Sequence, residues 1–132
     1  MGAWDVGTFD NDDASDWLYE LEDTKGFDLL NKVLSAVTDE AKVLAEGECS
    51  VALAAAEVVA ALKGKPSLNL PEEISKWVKN NSAEVSDDLL YKALEALILI
   101  KEESELKDFW VESENFEAWL MVLEDLQNRL CC

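Results

Sequence analysis

The sequence predicts an all-α fold: a single domain over residues 1–132, built as an irregular bundle of about six helices. Three observations lead there. Apolar residues recur at spacings of three and four through most of the chain, the period of a helix with one buried face. Two prolines, five glycines and no run of alternating valine or threonine argue against a sheet. A length of 132 residues, 49% of them hydrophobic, suits one core that folds without disulfides or metal.

The elements follow in order. Residues 11–23 form a first helix, capped by Asn11 or Asp12, with Ala14, Trp17, Leu18 and Leu21 on one face. Residues 27–37 form a second, carried by Phe27, Leu30, Val33, Leu34 and Val37, and Thr38-Asp39-Glu40 can cap a short continuation to Ala45 that Gly47 breaks. Residues 48–63 are dominated by alanine and valine, the composition of a central helix approached from several sides. Gly64 and Pro66 stop it. Pro71 opens a peripheral helix with Ile74, Trp77 and Val78, which ends at Asn80-Asn81. Ser86-Asp87-Asp88 caps a longer helix through Leu90, Ala93, Leu94, Leu97 and Ile98, apolar nearly all round at residues 98–100 and so expected to be central too. Ser104 restarts a turn with Leu106, Phe109 and Trp110. The last helix, residues 113–130, places Phe116, Trp119, Leu120, Leu123, Leu126 and Leu130 at helical spacing.

Charge bounds the partners. Twenty-nine acidic residues against eleven basic give a formal net charge of -18, a field that repels phosphate backbones and anionic lipids. Nucleic acid and membrane surfaces are therefore not expected as partners, whereas a basic protein is. The charges are also patterned: Asp13, Asp16, Glu20 and Asp23 make one stripe on the first helix, and no basic residue precedes Lys25. A large net charge also simply keeps a protein dispersed, so the stripe is the more specific signal.

Cys49, Cys131 and Cys132 form no spaced framework, and the odd count suits a reducing compartment. No basic-then-apolar leader follows Met1, and residues 51–62 and 94–100 are too short or too interrupted to span a bilayer. Val6 stands where myristoylation requires serine or threonine. A cytoplasmic location is expected.

The chain has no histidine, which removes the commonest general base and zinc ligand. There is no phosphate loop and no dinucleotide turn, so no cofactor is expected and catalysis is disfavoured. The alternative is a metal-dependent enzyme or small-ligand binder using Asp10, Asp12, Asp13 and Glu57. Read as a calcium loop, this stretch fails: starting at Asn11 puts Asp16 at the glycine position, and starting at Asp10 puts Leu21 at the bidentate glutamate position. Helix capping explains Asp12 better, and no metal site is assigned. Glu57 stands inside the most apolar helix and must find donors, either within the fold or from the backbone of the amino-terminal arm around residues 2–4. Trp4 reads equally as core or as contact residue. A homodimer through residues 94–100 is a further reading.

The segments Met1-Gly2-Ala3-Trp4, Gly7, Phe9, Asn11-Asp12-Asp13-Ala14 and Asp16-Trp17 resemble the opening of a bacterial family of small proteins, the domain of unknown function numbered 4259. The resemblance continues through residues 54–62, Gly64-Lys65-Pro66, Leu70-Pro71, Ser104-Glu105-Leu106 with Trp110, and the closing helix from Trp119. Asp5 stands where the family's second glycine is expected. The resemblance implies a bacterial, cytoplasmic protein and supplies no activity. Together these readings favour a non-catalytic acidic binding protein, most concretely an immunity or antitoxin-like inhibitor of a cationic toxin or enzyme.

Overall fold

Serine and asparagine side chains decide where several helices begin. In the computed structural model, which describes residues 9, 11–39, 44–68, 70–81 and 84–131, seven helices follow one another: α1 (Asp12–Glu22), α2 (Asp28–Thr38), α3 (Glu46–Leu62), α4 (Glu72–Asn80), α5 (Asp87–Glu102), α6 (Glu105–Val111) and α7 (Phe116–Cys131). The side chains of Asn11, Ser86 and Ser104 accept hydrogen bonds from the backbone N–H of Ala14, Leu89 and Lys107. Each such cap is worth about 1 kcal/mol over alanine. The start of α3 has no cap of its own. The Glu46 N–H instead donates to the Glu105 carboxylate at 3.1 Å, and the Glu105 N–H donates back to the Leu44 carbonyl at 3.0 Å. At the other end of α3, Gly64 takes φ +95°, the left-handed position that glycine adopts without strain. This lets the Lys65 N–H reach the Ala60 carbonyl at 2.9 Å and close the helix.

Helix α3 lies at the centre and packs against all six other helices. Every residue from Ala52 to Ala61 is buried, and its alanines let neighbouring backbones come close. The second hub is α5, which packs against α2, α3, α6 and α7. Leu21, Leu30, Leu34, Val37, Leu97, Ile100, Leu123, Leu126 and Leu130 fill the space between the layers. Helix α4 packs on α1 and α3, with Ile74 and Trp77 buried beneath it.

The fold is all-α, with seven helices among the described residues where the spacing suggested about six. Ser104 opens a true helix instead of a turn, because Leu106 and Trp110 both find the core. Gly47 does not break a helix: it stands in the first turn of α3, and Leu44 and Ala45 before it are not helical. Residues 40–43, where the continuation of α2 was expected, lie outside the described residues. Ile98 faces outward although Ile100 is fully buried, so α5 is central as expected but its apolar surface at residues 98–100 is not buried all round. Ser113 precedes α7 and holds the turn, its hydroxyl accepting from the Asn115 N–H. Among the described residues there is no strand, and no helix is long and apolar enough to cross a membrane.

Candidate functional site

The first helix divides its residues cleanly. Ala14, Trp17 and Leu21 are buried, while Asp13, Asp16, Glu20 and Asp23 are exposed along the flank beside them. Asp12 and Asp13 lie in the first turn, where the helix dipole favours negative charge, but no basic residue occupies the last turn. None of the four stripe carboxylates takes part in an ion pair among the described residues. Like charges three and four residues apart each cost about 0.2–0.5 kcal/mol, so α1 carries this face at a small loss of stability.

Beside the stripe runs a shallow groove between α1, α2 and the start of α3. Its two adjoining parts have volumes of about 330 and 350 Å³ and share Asp13, Lys32, Val33 and Val51. Asp16, Trp17, Glu20 and Leu29 line one part; Ala36, Gly47 and Glu48 line the other. Leu29 and Val33 stand one turn apart on α2, so together with Val51 they supply apolar surface under a rim of carboxylates. Lys32 is the cation among these residues. Trp17 is 4% exposed, and its buried indole Nε1 has no hydrogen-bond acceptor among the described residues. The Trp77 indole, by contrast, donates to the Thr24 carbonyl at 3.0 Å. An unmet buried donor costs about 1–3 kcal/mol.

Glu57 occupies a different environment. It is 2% exposed on α3, and its Oε1 accepts from Arg129 Nη1 at 2.7 Å, reached from the last turn of α7. The guanidinium also donates to Asp125 at 2.9 Å and to the Lys65 carbonyl at 3.3 Å. Lys63, just past the end of α3, donates in return to the Leu130 carbonyl at 2.6 Å, neutralising the negative end of α7. Burial works against the Arg129 charge, yet the hydrogen bond and charge of Glu57, followed by those of Asp125, outweigh it and raise the guanidinium pKa. Sequence reasoning anticipated a donor for Glu57 but not this one.

Asp12 and Asp13 are exposed and Glu57 is held by Arg129, and among the described residues no group of three or more histidine, cysteine or acidic side chains could hold a metal. Asp10, Trp4 and the amino-terminal arm expected beside Glu57 lie outside the described residues. Burial, partly offset by hydrogen bonds from Ser104 and the Leu106 backbone, pushes the Cys49 thiol up to about 12, so it stays protonated and unreactive at neutral pH. A second hollow, between α2 and the start of α5, is bridged by Lys92, whose ammonium donates to Asn31 and Ser35 at 2.7 Å.

These features define an acidic, all-helical fold that sets an exposed carboxylate face on α1 apart from the buried Glu57–Arg129 ion pair. The chain belongs to the family described as Domain of unknown function (DUF4259), whose model matches residues 2–122. No curated protein and no solved structure matches it.

Proposed function

We propose that this chain is a non-catalytic binding protein of the bacterial cytoplasm that engages a cationic protein through the acidic face of α1, in the manner of an immunity or antitoxin-like inhibitor. The observation that carries this reading is the set Asp13, Asp16, Glu20 and Asp23: four exposed carboxylates on one helix face, without ion pairs among the described residues, in a chain of net charge -18. Folding gains only the helix-dipole contribution at Asp13 and loses a comparable amount to repulsion along the stripe. Association gains, because a one-sign face steers an opposite partner and speeds encounter well above the unsteered rate. The same net charge opposes self-association, which weighs against a homodimer through α5 although Tyr91 and Ile98 are exposed there.

The test is comparative capture from the native host. The wild-type chain and a variant with Asp13, Asp16, Glu20 and Asp23 all changed to lysine are used as parallel baits. A basic protein retained by the first and lost by the second is the expected result. Capture that is unchanged by the reversal overturns the assignment of α1 as the interface.

A further inference from the structure

We infer that the groove between α1, α2 and the start of α3 is the docking site for a basic amphipathic segment of the partner protein, seating its apolar side chains on Leu29, Val33 and Val51 and its lysines or arginines on the carboxylate rim. This rests on the proposed cationic partner and deepens it: the contact becomes a shaped site with its own chemistry, beyond a charged face that steers.

The argument begins with what lines the groove. One rim carries Asp13, Asp16 and Glu20 from α1, and Glu48 of α3 lines the adjoining part. Between them the half-buried Leu29, Val33 and Val51 pack against the core while still lining the groove. A purely charged ligand such as a metal ion gains nothing from that apolar floor. A segment that alternates basic and apolar side chains matches both parts, with the long aliphatic stems of lysine or arginine lying along the floor and their heads on the rim. Each part, at about 330 or 350 Å³, takes side chains and not a whole folded element. Trp17 also lines this groove and is 4% exposed, so its indole ring adds to the floor and its resonance reports on a seated segment. Lys32 is the one lining group of the wrong sign. It therefore limits affinity and selects against segments whose basic residue falls opposite it.

The experiment uses two synthetic helical peptides of equal length and charge, one of leucine and lysine, the other with serine replacing each leucine. Both are titrated into the full-length, isotope-labelled protein and followed by amide and indole NMR. The leucine peptide is expected to bind at least about tenfold more tightly, equivalent to about 1.4 kcal/mol or the burial of about 60 Å² of apolar surface. It should shift the Leu29, Val33, Gly47 and Val51 amides and the Trp17 indole resonance. Lys32→Glu, on an exposed residue that leaves the fold intact, should tighten the leucine peptide several-fold. Gly47→Leu should weaken the leucine peptide and leave the serine peptide unchanged. A Cβ at Gly47 meets the Asp13 carboxylate at an ordinary 3.5 Å, so a longer side chain enters the groove without backbone strain. Equal affinities with shifts confined to Asp13, Asp16 and Glu20 overturn the groove and leave the acidic face standing. Absence of shifts at those three residues overturns both.

Discussion

Helix α1 and the corner where α3 meets α7 use the same side chains for opposite ends. On α1, carboxylates stand in a row with no cation among them and every one faces solvent. At the corner, Glu57 and Asp125 converge on one guanidinium, and Lys63 meets the carbonyl end of α7. The first arrangement builds a potential and contributes little to folding beyond the dipole contribution of its first turn. The second is part of the core and generates almost no outward field, because its charges cancel within a few ångströms. A carboxylate's job in this protein is therefore set by its distance to the nearest cation and by its access to water.

The sharpest way to break that contrast is to remove the cation from the corner. Arg129→Met should destabilise the protein by about 3–5 kcal/mol, since it removes the guanidinium that balances the buried charge of Glu57. Chemical denaturation should show it as a lower midpoint with an unchanged slope. Glu57→Gln should cost less, about 1–3 kcal/mol, because one acceptor remains for Arg129, which is 15% exposed and keeps Asp125. Equal costs for the two substitutions would mean that the pair behaves as a surface bridge.

On α1 the expected effects move from equilibrium to rate. Reversing Asp16 and Glu20 to lysine should slow association with a cationic partner by about an order of magnitude at low salt, and the difference should vanish as ionic strength rises. Stopped-flow traces that overlay at low salt would deny α1 its steering role. The stability of the same variant should rise slightly, by less than about 1 kcal/mol, because repulsion along the helix is relieved. A large loss in thermal unfolding would show that these carboxylates are structural after all. The smallest effect concerns Cys49. With its folded pKa raised to about 12 above the unfolded value of about 8.5, its contribution to stability is full below the lower value and is lost as pH climbs through the upper one. A thiol reagent at neutral pH should leave Cys49 unlabelled until denaturant is added.

Much of this was legible in the sequence wherever the information lay within one element. The period of Ala14, Trp17 and Leu21 predicts both the buried side of α1 and the exposure of its acids. The alanine-rich stretch places α3 at the centre. The misses are of two kinds. Short helices such as α6 offer too few turns for a period to register, and Gly47 reads as a breaker because its low propensity is a local preference that six packing neighbours override. The groove and the Glu57 partner were hidden for another reason: both depend on residues from separate helices. One signal was available. Arg129 is the chain's one arginine, set on an otherwise amphipathic helix, and arginine is the cation best suited to a buried carboxylate.

The span between that carboxylate and its guanidinium has a consequence in time. Glu57 and Arg129 are separated by 72 positions, so at about 5 to 20 residues per second a ribosome makes the acid roughly 4 to 14 s before its partner. Throughout that interval the central helix exists without the cation that it buries against. The amino-terminal helices can form and collapse, but α3 cannot take its final neighbours until the last turn of α7 arrives. Completion of this fold therefore waits on the synthesis of Arg129, and nascent chains stalled short of it should remain sensitive to protease.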